Sequence, residues 1–115
     1  MTDKRVVLVT CSSEEEASRI AHALVDARLA ACVNIFDSPV RSVYRWKGRV
    51  ETATEHLLVI KTRRARVAAL EAAVKRLHSY QTPEVIALPI AEGSRRYLAW
   101  LDECVRPPAR RRRTS

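Results

Sequence analysis

Glycine is nearly absent: Gly48 and Gly93 are the only two in 115 residues. A phosphate-cradling loop uses several glycines to bring backbone N–H groups against the anion, so nucleotide binding of the usual kind is excluded. The same scarcity, with 47% hydrophobic residues, argues against a disordered body or long irregular loops. No apolar stretch approaches the length of a membrane span, and no basic-then-apolar leader opens the chain. The expectation is a cytoplasmic protein with no membrane partner. Cysteine is sparse: Cys11, Cys32 and Cys104 are odd in number, widely spaced and without a Cys-x-x-Cys pair. That pattern suits reduced thiols better than a disulfide framework or a zinc cluster. No Ser-His-Asp, Cys-His or paired-carboxylate arrangement is readable, so no enzyme activity is expected.

What is present in excess is positive charge, unevenly placed. The formal net charge is +8, and Arg106 with Arg110, Arg111, Arg112 and Arg113 supplies five of those charges. Without them, 16 basic residues face 13 acidic ones. The segment 106–115 also holds Pro107-Pro108 and nothing able to join a core. The expected division is therefore one domain over 1–105 and a disordered Arg-rich tail over 106–115. Such a tail attracts polyanions in a salt-dependent way, but the nearly balanced domain offers no specific nucleic-acid surface.

Along the domain, Lys4–Thr10 contains Val6-Val7-Leu8-Val9, a β-branched run suited to a buried strand. Ser13 and Glu16 have capping-box spacing, and Ala17, Ile20, Ala21 and Leu24 recur at helical period. Ala31–Ile35 reads as a second strand, interrupted at Asp37-Ser38-Pro39. From Val40 the chain alternates, with Val40, Ser42, Tyr44 and Trp46 on one face, until Lys47-Gly48 forms a tight turn. Arg49–Lys61 returns as a long strand, and a helix follows over about Arg64–Leu77, with Val67, Leu70, Val74 and Leu77 on one stripe. Strand Val85–Pro89 and a last helix carrying Tyr97, Leu98, Trp100 and Leu101 complete the domain. The order β-α-β-β-α-β plus a C-terminal helix predicts an α+β, ferredoxin-like fold with an antiparallel sheet. The Val40–Lys61 hairpin is too long for so small a domain and should overhang the sheet as an arm. Tyr44 and Trp46 on that arm need cover, which a homo-oligomer of embracing arms would provide.

Several segments resemble the CutA family of divalent-cation tolerance proteins. They are Arg28-Leu29-Ala30-Ala31-Cys32-Val33-Asn34, Ser42-Val43-Tyr44-Arg45-Trp46-Lys47-Gly48 and Leu57-Leu58-Val59-Ile60-Lys61-Thr62. Tyr80 through Ile90 and the closing Tyr97-Leu98-Ala99-Trp100-Leu101 continue the match, in order. The resemblance implies a ferredoxin-like subunit in a homotrimer similar to the PII regulatory proteins, with a role in tolerance of copper and other divalent cations. It implies no reaction. Ser79 stands where the family usually has proline, which should loosen the helix-to-loop transition, and Leu77-His78 offers one imidazole where metal-binding members pair two.

The stretch from His78 to Glu84 gathers an imidazole, a phenol, an amide and a carboxylate at a helix-to-strand junction. For metal, His78, Cys32 and Glu84 are the candidate ligands, with copper or another divalent cation as the ion and no cofactor required. The plainer alternatives are His78 closing its helix and Cys32 filling a core. For a small ligand, Trp46, Lys61, Tyr80 and Glu84 could wall a cleft between subunits. Lys61, at the end of a buried-type strand, would then face an anion in a PII-like sensor, unless it simply pairs with Glu84. A scaffold for a protein partner is the remaining reading. Arg63-Arg64-Ala65-Arg66 puts positive charge at the wrong end of a helix dipole, which calls for an acidic neighbour.

Overall fold

The computed structural model describes residues 2–107. Strand β1 (Lys4–Cys11) leads into α1 (Glu14–Asp26), followed by β2 (Cys32–Ile35), β3 (Val40–Trp46) and β4 (Arg49–Arg63). A 3₁₀ turn, Arg64–Arg66, precedes α2 (Val67–Leu77), and β5 (Ile86–Pro89) and α3 (Arg95–Cys104) follow. The sheet order is β2-β4-β1-β5, every pair antiparallel, with β3 joined to β4 alone. This is the expected ferredoxin-like arrangement.

Side-chain alternation explains the layering. Val7, Val9 and Cys11 of β1 and Leu58, Ile60 and Thr62 of β4 point to one face and are buried there against Ala17, Ile20 and Leu24 of α1 and Leu70, Ala73 and Val74 of α2. The opposite face carries Val6, Leu8, Leu57 and Val59, only partly buried, and the exposed Ile86 and Leu88 of the β5 edge. An apolar sheet face without a helical layer is unusual for a protein that works alone.

The fifteen residues of β4 make the arm. Its second half pairs with β1 and β2, and its first half, Arg49–Glu55, pairs only with β3, which draws the molecule out to 58 Å in its longest dimension. Lys47 and Gly48 close the hairpin with φ of 50° and 81°, the backbone of a two-residue turn matched to the twist of its strands. Between β2 and β3 the register passes from Ile35↔Leu58 to Val40↔Glu55. Two residues more on this side than on β4 form a bulge at Phe36–Pro39, where proline could not have continued the ladder. Tyr44 and Trp46 emerge on the helix-free side, about half exposed.

Helix α3 docks through Leu101 and Val105, both fully buried with Ala31 and Cys104. The tail expected from residue 106 thus begins beyond a buried Val105. Arg106 itself reaches Asp102 at 3.5 Å, and residues 108–115 of the expected tail lie outside the described residues. Asp102 also accepts Lys4 at 3.2 Å and Arg63 at 3.3 Å, with Asp3 beside them. Arg63 therefore finds its acidic neighbours within its own chain, whereas Arg66 donates from Nε to Arg28 O at 3.1 Å. The hydrogen bond from Lys4, then the charges of Lys4 and Arg63, hold the Asp102 carboxyl below the usual aspartate range, outweighing the upward push of burial. A carboxyl with a depressed folded pKa contributes stability that is complete above its ordinary value and disappears as pH falls through the lower folded one. Replacing Asp102 with Asn should cost about 1 kcal/mol at neutral pH and flatten the loss of stability below about pH 4. Urea unfolding across that range measures both effects, and an acid limb unchanged by the substitution would show that Asp102 is not its source.

Candidate functional site

Helix α2 ends at His78, whose backbone turns extended (φ −84°, ψ 145°) while its N–H still donates to Val74 O. The imidazole swings under the sheet end and is buried. Nε2 donates to Thr10 O at 2.7 Å and Nδ1 accepts from the Tyr80 N–H at 3.0 Å, a pattern that requires the neutral Nε2–H tautomer. His78 thereby fixes the backbone of the loop that follows.

Glu16 completes this junction. Ser13 Oγ caps the Glu16 N–H as its spacing predicts, but the reciprocal half of the capping box is not made. The Glu16 carboxylate turns inward, accepts from Ser12 N–H at 3.1 Å and Ser79 N–H at 3.0 Å, and lies 3.5 Å from His78 Nδ1. Burial pushes its pKa up, but the hydrogen bonds from Ser79 and Ser12 prevail and hold it below the ordinary value. Ser79 also meets Ser12 hydroxyl to hydroxyl at 3.2 Å. The expected loosening at Ser79 is therefore reversed: a proline there would lack the N–H that Glu16 accepts.

Cys11 closes the group. Its Sγ, a Glu16 oxygen and a His78 nitrogen lie within 4.8 Å of one another, all three residues buried. Burial, then Glu16 and Glu55, push the Cys11 thiol up to about 12, so it is unreactive without a metal to displace its proton. The other expected ligands stand elsewhere. Cys32 pairs with Lys61 on the helix-free face, whereas Cys11 pairs with His56 on the helical face; roughly 16 Å of strand separates the two rows. Within one chain the fold does not bring Cys32 to His78.

Beyond His78 the loop turns to the other side of the sheet. The Tyr80 hydroxyl donates to Glu55 Oε2 at 3.0 Å. Glu55, on the arm side of β4, is 7% exposed. Together with Tyr44, Trp46 and Glu84 these residues line a cleft of about 580 Å³ between the base of the arm and the loop. Burial, then Glu55, raise the Glu84 pKa, and burial, then Glu55, push the Tyr80 phenol up to about 12. Of the residues expected to wall a cleft between subunits, Trp46, Tyr80 and Glu84 meet in this cleft within one chain, and Lys61 is not on its lining. Lys61 donates to Asn34 Oδ1 and to Val59 O, makes no ion pair with Glu84, and faces the open sheet surface. Its partners within the chain are an amide oxygen and a backbone carbonyl rather than a carboxylate.

Glu16, Cys11 and Glu55 were invisible as site residues in the sequence. Glu16 reads as a capping residue and Cys11 as the end of an apolar strand. Only the strand parity of Glu55, which places a carboxylate on the same side as Leu57 and Val59, could have marked it.

Among the described residues no helix is long and apolar enough to cross a membrane. A family model described as "CutA1 divalent ion tolerance protein" matches residues 5–104. The chain is 53% identical over 100 residues to the divalent-cation tolerance protein CutA of Thermus thermophilus, covering 87% of this chain and 96% of that one. The solved Thermus structure superposes with a TM-score of 0.85. A structure from Archaeoglobus fulgidus, described as a periplasmic divalent cation tolerance protein CutA, is 44% identical with a TM-score of 0.86, covering 90% of this chain and 99% of that one. Rice CutA1 is 47% identical with a TM-score of 0.86, covering 90% of this chain and 94% of that one. A match of this length, carried by sequence and by fold alike, places the chain in the CutA1 divalent ion tolerance protein family.

Proposed function

We propose that this chain serves divalent-cation tolerance as a cytoplasmic homotrimer that holds a divalent metal, copper foremost, reversibly on Cys11, Glu16 and His78, and carries out no reaction. The observation behind it is the convergence of sulfur, nitrogen and oxygen ligand atoms within 4.8 Å in one buried group. Thiolate and imidazole are the ligand types copper and zinc prefer, and a carboxylate adds charge balance. The proposal keeps His78 from the expected set and takes Cys11 and Glu16 in place of Cys32 and Glu84. Both His78 nitrogens are engaged by backbone groups and the Cys11 thiol holds its proton tightly. Metal must displace those partners, so affinity is modest and loading follows metal abundance, as tolerance requires. A reducing cytoplasm keeps the three free cysteines available.

Trimer formation is supported by the uncovered apolar sheet face and by the arm aromatics, which neighbouring copies would cover. A sensor of small anions fits less well, because no lysine or arginine among the described residues lines the cleft.

Calorimetry with Cu²⁺, and with Zn²⁺ as the redox-inert comparison, tests the metal site. Cys11→Ala should weaken binding by more than about tenfold, and Cys32→Ala should leave it unchanged. Equal affinities in wild type and Cys11→Ala would refute the site, provided the variant unfolds cooperatively like its parent.

A further inference from the structure

We infer that occupancy of the metal site releases Tyr80 from the root of the arm, so that loading on the helical face is read on the opposite side of the sheet. The inference rests on the metal reading above and supplies its regulatory consequence.

The loop after α2 is held by side chains. Among the described residues, positions 79–85 make no backbone–backbone hydrogen bond outside the regular elements. Two N–H groups there donate to side chains instead: Ser79 to Glu16 Oε2 at 3.0 Å and Tyr80 to His78 Nδ1 at 3.0 Å. Both acceptors belong to the metal-ligating group, so loop and metal draw on the same atoms. The two acceptors differ in capacity. A carboxylate has lone pairs to spare, and the Glu16 oxygen 3.5 Å from His78, Oε1, is not the one that holds Ser79. A ring nitrogen has a single lone pair. Nδ1, the His78 nitrogen on the Glu16 side, either accepts the Tyr80 N–H or serves as a ligand, and cannot do both. Nε2 is committed to Thr10 O at 2.7 Å. Ser79 is therefore the pivot and Tyr80 the residue let go. Pro83 is buried and Val85 packs on the core, which confines the movement to the residues between.

What Tyr80 holds gives its release a consequence. Its hydroxyl donates, at 3.0 Å, the one hydrogen bond that the Glu55 carboxylate receives among the described residues. Glu55 is buried and pairs with Val40, where the arm leaves the sheet. A buried carboxylate that loses its donor is costly, so the arm root rearranges when Tyr80 moves. Every contact in this relay, from Glu16 through His78 and Tyr80 to Glu55, lies within one chain. The coupling therefore does not depend on which surfaces a neighbouring copy covers. It is also reciprocal: a change that frees Tyr80 tightens metal binding by the factor that metal binding weakens the hold on Tyr80.

The experiment uses the full chain and Zn²⁺, with uptake followed by calorimetry and hydrogen exchange read at the Tyr80 amide. Saturation with Zn²⁺ is expected to speed exchange at Tyr80 about tenfold or more, with Val7 and Ile60 in the buried sheet unchanged. Tyr80→Phe, which unties the hydroxyl end of the relay, should bind Zn²⁺ about fivefold tighter than wild type, whereas a purely structural role for Tyr80 would weaken binding. Unchanged or slower exchange at Tyr80 in the loaded protein overturns the inference. So does a rise shared by Val7 and Ile60, which would mean general loosening, or equal or weaker affinity in a folded Tyr80→Phe chain. Where Tyr80→Phe does not fold, exchange in the wild type decides alone. Cys11→Ala separates the two levels. Zn²⁺ uptake indifferent to that substitution removes the metal site and this inference together, and uptake that depends on it without a change at Tyr80 removes the inference alone.

Discussion

Replacing His78 with alanine is expected to destabilise the chain by about 3 kcal/mol, the sum of one buried and one partly buried hydrogen bond and the space left by a buried ring. The imidazole joins Thr10 O on β1 to Tyr80 N–H on the loop, and alanine leaves both backbone groups without their partner. Its ring also packs against Tyr80, centroids 4.7 Å apart, so the hold on the cleft wall should weaken together with the fold. Urea unfolding gives the stability, and hydrogen exchange at the Tyr80 amide gives the local effect. A loss below about 1 kcal/mol, or unchanged protection at Tyr80, would mean that the loop is held by Glu16 and Ser79 instead.

Charging the arm should have the largest effect on assembly. Tyr44→Asp with Trp46→Asp places two carboxylates where a neighbouring copy is proposed to cover two rings, next to the Glu51 that Tyr44 faces across the hairpin. Like charges at an apolar contact are desolvated without compensation. Light scattering should therefore fall from three times the 13.0 kDa chain mass towards one. The arm lies outside the helical layer, so the helical content by circular dichroism should be retained. A double variant that still scatters as three chains would shift the burden to the sheet face of Leu8, Leu57, Val59, Ile86 and Leu88.

The elements were legible because their signals are local. Val6–Val9 is β-branched, Ser13 caps through its own hydroxyl, and Lys47-Gly48 takes the positive φ its position requires. Even the arm could be read, since a strand as long as Arg49–Lys61 has too few neighbours to pair with in a small domain; the structure extends it to Arg63. Misreadings arose where a side chain has two roles to choose from. Glu16 fits a capping box at the level of spacing, but Ser79, 63 positions away, captures its carboxylate. Lys61 calls for an anion in the abstract, and Asn34 across the sheet answers with an amide.

By itself, the order of hydrophobic and polar residues determined the fold, the layering of two helices on one sheet face, and the exposure of Tyr44 and Trp46. Those follow from periods of two and 3.6 residues, which depend on each residue and its near neighbours alone. Tertiary structure decided which chemistry-bearing groups meet: Cys11 rather than Cys32 beside His78, and Glu55 rather than Lys61 beside Tyr80. The reason is the pleat and register of β4. Adjacent residues on a strand face opposite sides, and a partner is set by pairing with strands tens of residues away, so no spacing within the chain announces it.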